Sequence, residues 1–168
     1  NALIGWAEES LVPPKKVSIP GQLYERISDH VETQITATAM AIDANGQKAI
    51  IVSCDLTAVN SILAQRIREK FADLTDEIDP KYILFGATHT HTSVGYTEPR
   101  SFSVDILNEF LPENQKYTEL IKPDDSVLTP DGALEFLSDR ISLAAKRAWD
   151  NRKCAMYANA FGRAPIGF

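Results

Sequence analysis

Between residues 47 and 87 the chain reads strand, helix, strand, and this order restricts the fold more than any other feature of its 168 residues. Gln47-Lys48-Ala49-Ile50-Ile51-Val52-Ser53-Cys54 holds a continuous apolar stretch, the pattern of a strand covered on both faces. Over 59–74, Ile62, Leu63, Ile67, Phe71 and Leu74 recur at helical spacing, with Asn60 or Thr57 placed to cap the start. Asp79-Pro80 stops the connection, and Tyr82-Ile83-Leu84-Phe85-Gly86-Ala87 is a second apolar strand. Such a βαβ unit pairs its two strands in parallel. Functional loops then gather at the carboxyl ends of the strands, where Asp55 and His89 both fall, so the two are expected near one another.

The flanking segments extend this unit. Residues 33–42 are rich in Thr and Ile with partial alternation, a strand pattern. Asp43-Ala44-Asn45-Gly46 then makes a hairpin turn, because Asn-Gly supplies the positive φ angles that a tight hairpin needs. Residues 1–21, with Pro13, Pro14 and Pro20, read as irregular apart from a short strand near 5–8. Residues 97–129 are broken by Pro99, Pro112 and Pro123 and read as an excursion with one short helix near 104–110. From Asp131, placed as a cap, Leu134, Leu137, Ile141, Ala144, Ala145 and Ala148 form one helical stripe ending near Asp150. A last strand is expected over 153–161. The fold class is therefore α/β, a mixed, largely parallel β-sheet with flanking helices, in a single domain over 1–168.

At 44% hydrophobic and 24% charged residues the composition is that of a globular domain. Seventeen basic against 23 acidic residues give a net charge of −6, which argues against nucleic acid as a partner. No stretch reaches the ~18 apolar residues of a transmembrane segment, and no signal peptide is visible. Both ends look cut, as in a piece of something longer. Cys54 and Cys154 lie in strand segments without CxxC spacing and are expected as buried small residues.

Two of the three histidines stand in Thr88-His89-Thr90-His91, at the exit of the second apolar strand. In extended backbone, positions i and i+2 point to the same side. Two imidazoles so placed can share a metal, or divide the work as ligand and acid/base. Several histidine motifs are excluded. After His91 come Thr92, Ser93 and Val94, so the HxHxDH pattern of metallo-β-lactamases is missing. A TIM-barrel amidohydrolase needs about 250 residues. A two-histidine phosphoesterase needs a second HxT or HxS, but His30 is followed by Val31-Glu32; a HExxH helix is absent too.

The segment Gly86-Ala87-Thr88-His89-Thr90-His91-Thr92-Ser93-Val94-Gly95-Tyr96 resembles the ATHTHSGPGGY-type segment of the neutral/alkaline (non-lysosomal) ceramidase family. Gly5-Trp6-Ala7-Glu8-Glu9-Ser10-Leu11-Val12 is similar to that family's opening GxAxxDIT strand. The hairpin ending at Asp55 is similar to its VSxD hairpin. Gly162-Arg163-Ala164-Pro165-Ile166-Gly167-Phe168 is similar to its NRSPxxY segment, in the same order. The resemblance implies the N-terminal part of a ceramidase-like catalytic domain. It implies zinc as cofactor with His89 as a metal ligand, and His91 and Arg163 in the active site beside it. It further implies hydrolysis of the amide bond of ceramide to fatty acid and sphingosine, a lipid or small-molecule substrate, and a secreted or periplasmic setting. His91 is assigned to acid/base work or oxyanion contact, and Arg163 to charge stabilisation or substrate anchoring. The family's other zinc ligands, a His, a Glu and a Tyr, are expected beyond Phe168.

Departures bear on the substrate. Thr92-Ser93-Val94-Gly95 replaces the family's Ser-Gly-Pro-Gly-Gly, and Gly162 stands where the family has Asn. Two alternatives follow: a metal-dependent hydrolase of the same fold acting on a non-lipid amide or ester, and a non-catalytic binding or assembly domain. Asp55 serves equally as a loop cap or a site residue, Tyr96 as a pocket wall or a packed aromatic. His30, beside Asp29, reads as a surface residue. Ser93 lacks the GxSxG setting of a nucleophile.

Overall fold

The computed structural model describes residues 2–22, 24–98, 104–116 and 123–163. Among them lies one five-stranded sheet of β1 (Ala2–Ser10), β2 (Thr36–Ala44), β3 (Gln47–Cys54), β4 (Ile83–Ala87) and β5 (Lys153–Ala155), in the order β4-β3-β2-β1-β5. Three α-helices accompany it among the described residues: α1 (Ser61–Leu74), α2 (Val104–Glu109) and α3 (Pro130–Asp150).

The α/β class and the mixed sheet agree with the expectation, but the balance of strand directions does not. Only β3 and β4 pair in parallel; β1–β2, β2–β3 and β1–β5 are antiparallel. The reason is topological. β1, β3 and β4 point the same way, yet β2 is inserted between β1 and β3 by the Asn45-Gly46 hairpin, so like-directed strands meet only at the βαβ unit.

Helices α1 and α3 lie on one face of the sheet. That face carries Ala37, Ala39 and Ala41 of β2 and Ile50, Val52 and Cys54 of β3, all fully buried. Small residues let α3 approach closely through Ala144, Ala145 and Ala148. The tightest point is Gly5 of β1, where an added Cβ would stand 2.1 Å from the Ala148 carbonyl oxygen. Leu63, Ile67 and Phe71 of α1 complete the core. Asn60 caps α1 by accepting from the Leu63 amide at 2.9 Å. At α3 the cap is Thr129, accepting from the Gly132 amide, with Pro130 at the first turn, not Asp131 as expected. Glu9, turned inward from β1, is buried and ion-paired with Arg140 and Arg147 of α3.

On the other face, register aligns Trp6, Met40, Ile51 and Leu84 in one row across four strands. Trp6, Ile51 and Leu84 are 59%, 41% and 56% exposed. The last strand is shorter than the expected 153–161, because beyond Ala155 no neighbouring strand pairs with the chain and 156–163 carry no strand. Cys154 is exposed there, contrary to expectation, while Cys54 is buried. Edge strand β5 has no layer over it, which leaves its thiol in solvent. Part of the expected 97–129 excursion and the Ala164-Pro165-Ile166-Gly167-Phe168 end of the C-terminal motif lie outside the described residues.

Candidate functional site

Two loops leave the carboxyl ends of β3 and β4 side by side and are laced together. The Thr88 amide donates to the Cys54 carbonyl and the His89 amide to the Leu56 carbonyl, each at 3.0 Å. Thr57 Oγ1 donates to the Thr90 carbonyl at 2.9 Å. The Tyr96 hydroxyl donates to the Ala58 carbonyl at 2.9 Å and accepts from the Asn60 amide at 3.1 Å. Tyr96 is thus a clamp between the loops, and burial raises its phenol above the ordinary value.

The strand ends before the histidines. His89 has φ 61°, in the left-handed region that non-glycine residues rarely adopt. Its backbone and its ring are both held by the neighbouring loop, the ring through Nδ1 at 2.6 Å from the Thr57 carbonyl. Local strain of this kind persists only where surrounding contacts over-determine it. The two rings therefore meet by a turn in the chain rather than by strand alternation, which corrects the geometry expected from extended backbone. His89 Nε2 and His91 Nε2 stand 3.4 Å apart, with ring planes inclined by 73°.

Hydrogen placement follows from the partners. A carbonyl only accepts, so His89 carries its hydrogen on Nδ1 and offers a lone pair at Nε2. This is the arrangement in which a ligating histidine is fixed by a second partner behind it. His91 Nε2 faces that lone pair. Two nitrogens on one tetrahedral zinc lie about 3.3 Å apart for Zn–N of about 2.0–2.1 Å. The pair therefore suits a shared ion equally with a ligand beside a proton-carrying neighbour. Catalytic zinc takes three protein ligands. Among the described residues no group of three His, Cys, Asp or Glu could hold a metal ion, so the donor set present is half a site.

Asp55 lies at the neighbouring strand end, as expected, but its carboxylate turns away. Oδ2 accepts from the Thr36 amide at 3.0 Å and the Thr36 hydroxyl at 3.4 Å, so Asp55 closes the β2–β3 edge. Arg163 is not brought to the histidines. It sits exposed in the segment after β5, and no hydrogen bond or ion pair joins it to another described residue. β5 runs antiparallel to β1 at the edge farthest from β4, so its carboxyl end faces the opposite end of the sheet from His89.

Beside the histidine loop lies a pocket of about 500 Å³. Val12, Val17, Ile35 and Val94 line it, with Thr90 and Thr92 on the histidine side and Lys15, Asp29, His30 and Glu32 among its charged residues. His30 is exposed and hydrogen-bonded to Asp29 at 2.6 Å, a pairing that holds the Asp29 carboxyl below its ordinary value. Ser93 is buried, with its hydroxyl 3.5 Å from the Thr90 carbonyl and no base beside it. Sequence reasoning missed Thr57, Gly21 and Arg26. Thr57 carried a signal, since it follows the same strand end as Asp55; the other two carried none.

No family model and no curated protein matches the sequence. Solved structures do match. The chain is similar to neutral ceramidase from Pseudomonas aeruginosa, with 18% identity and a TM-score of 0.66, over 90% of this chain and 22% of that one. A ceramidase complexed with C2 matches with 15% identity and a TM-score of 0.62, over the same shares. The fold is therefore ceramidase-like, and the chain spans about a fifth of the length of the structures it resembles, at 22%.

Proposed function

We propose that this chain forms the N-terminal portion of the catalytic domain of a zinc-dependent, ceramidase-like hydrolase that cleaves an amide. His89 serves as a metal ligand, His91 as acid/base or oxyanion contact, and Arg163 as charge stabiliser or substrate anchor. The observation that carries this reading is the His89–His91 pair, with facing Nε2 atoms at 3.4 Å, on a fold like that of a ceramidase. The further ligands that zinc needs are assigned to residues outside this sequence.

Zinc, when bound, lowers the pKa of a coordinated water to about 7 and polarises the scissile carbonyl. The protein's own groups do the rest. The Thr57 carbonyl holds the His89 ring through Nδ1 and keeps the Nε2 lone pair directed outward. A hydrogen on His91 Nε2 can stabilise a developing oxyanion or pass to the departing amine. Arg163 carries a permanent cation with no carboxylate partner among the described residues. It follows β5, away from the histidines, and its part in the site rests on the sequence resemblance.

A second reading, hydrolysis of a non-lipid amide or ester, is favoured by one feature. The pocket beside the loop carries Lys15, Asp29, His30 and Glu32, which suits a polar ligand better than a bare acyl chain. The deciding experiment uses full-length protein and a short-chain fluorescent ceramide. Release of fatty acid, lost in His89→Ala, supports the ceramidase reading. Stoichiometric zinc without ceramide turnover favours the second reading. Full-length protein that takes up no zinc overturns both and points to a binding or assembly domain.

A further inference from the structure

His91 is held from behind by a segment far away in sequence. Residues 17–22 and 24–28 run out and back, joined by the Ile19 amide to the Arg26 carbonyl at 2.8 Å and the Ser28 amide to the Val17 carbonyl at 2.9 Å. The tip of this excursion carries Pro20 and Gly21. At Gly21 the backbone has φ +98°, and an added Cβ would stand 2.4 Å from both Cγ and Nδ1 of His91. The ring therefore rests directly on glycine backbone. Arg26 secures the same contact from the other side of the turn. Its Nη2 donates to the His91 carbonyl at 2.5 Å and to the Pro20 carbonyl at 2.8 Å. One guanidinium thus ties the turn to the histidine it supports. A third tie follows four residues on, where the Gly95 amide donates to the Ser18 carbonyl at 2.8 Å.

We propose that Gly21 and Arg26 are positioning residues that set the His91 ring against His89. The two histidines are fastened differently. His89 has its ring nitrogen bonded to the Thr57 carbonyl. The ring of His91 has only His89 Nε2 as a hydrogen-bonding partner among the described residues. Its orientation is set by contact, and contact requires the absence of a side chain at residue 21. A methyl there overlaps the ring and sits on a backbone that L-residues resist, so either the ring or the turn that supports it must shift. Arg26 works through one nitrogen, Nη2, whose two hydrogens reach two carbonyls at separate positions. Displacement of a catalytic group by about 1 Å costs on the order of 100-fold in rate.

The consequence for turnover rests on the hydrolase reading; the positional claim does not. Two measurements on full-length protein separate them. In the first, diethylpyrocarbonate modification of His91 is followed by mass spectrometry, with exposed His30 as internal reference. Gly21→Ala and Arg26→Ala are expected to raise the His91-to-His30 ratio several-fold, and Arg26→Lys to fall between Arg26→Ala and the parent. In the second, kcat for the amide substrate is expected to drop about 100-fold in Arg26→Ala, with KM within about twofold. Circular dichroism and thermal midpoint identify variants that remain folded, and Arg26→Lys keeps the test open if Gly21→Ala does not fold. An unchanged modification ratio in folded Arg26→Ala and Arg26→Lys overturns the proposal. If the ratio shifts while the parent protein turns over no amide, the positioning stands and the amide-hydrolase reading fails.

Discussion

Asp55 and Cys54 illustrate how much one residue's role depends on which way it points. Asp55 sits at the mouth of the site but gives its carboxylate to Thr36, through the amide at 3.0 Å and the hydroxyl at 3.4 Å. Removing it leaves a half-buried donor without a partner, which costs about 1–3 kcal/mol. Asp55→Ala is therefore expected to lower stability in urea by that amount, and Asp55→Asn, which keeps an acceptor oxygen, by clearly less. Equal losses would mean that the charge matters and the hydrogen bond does not. Cys54 faces the core. Burial, and secondarily the charge of Asp55, pushes its thiol up to about 12 from an ordinary 9.0. The folded chain thus holds this proton to higher pH than the unfolded chain does. Stability is complete below 9.0 and declines as pH rises towards about 12, at up to about 1.4 kcal/mol per pH unit. With a thiol reagent at pH 8, only exposed Cys154 is expected to react in the native protein. Both thiols should react in denaturant, and a second native thiol would contradict the packing around Cys54.

Strand β3 offers the sharpest contrast between elements' two faces, since adjacent isoleucines point opposite ways. Ile50 is fully buried between Ala41 and Ile83, whereas Ile51 is 41% exposed in the open row. Ile50→Ala is expected to cost about 2–5 kcal/mol, because it leaves a cavity under α3. Ile51→Ala should cost under about 1.5 kcal/mol, as less area leaves water in the first place. Denaturant unfolding of the two variants measures the difference directly. The sequence carried β3 and α1 to within two residues, since apolar runs and helical spacing are local signals. It carried only half of β1, whose core-facing positions are Gly5, Ala7 and Glu9. Such residues look unlike a strand and make sense only against the small face of α3. Strand direction was equally hidden, because nothing local says that β2 will lie between β1 and β3. The same limit applies at the site. His89 and His91 are legible as a motif, while Gly21 and Arg26 reach His91 across 65 or more residues and announce nothing in sequence.

At the scale of the whole molecule, one sheet carries helices on one face and an apolar row of Trp6, Met40, Ile51 and Leu84 on the other. Among the described residues no helix is long and apolar enough to cross a membrane. The site repeats this half-built character. It presents two imidazole nitrogens at a spacing that suits zinc, but no described third ligand. Two neutral imidazoles bind a hydrated divalent ion far more weakly than the three-ligand sets of catalytic zinc centres. The isolated 168-residue chain, loaded with zinc and then dialysed, is therefore expected to retain well under one equivalent by elemental analysis. Full-length protein treated identically should retain about one equivalent, and His89→Ala should lose it. The comparison has a built-in control, because Arg26→Ala alters the seating of His91 without touching the Thr57–His89 contact. Retention in full-length Arg26→Ala would show that His91 does its work beside the metal, while loss would make His91 a ligand in its own right. Full occupancy in the isolated chain would overturn the half-site altogether and require a third donor from within these residues.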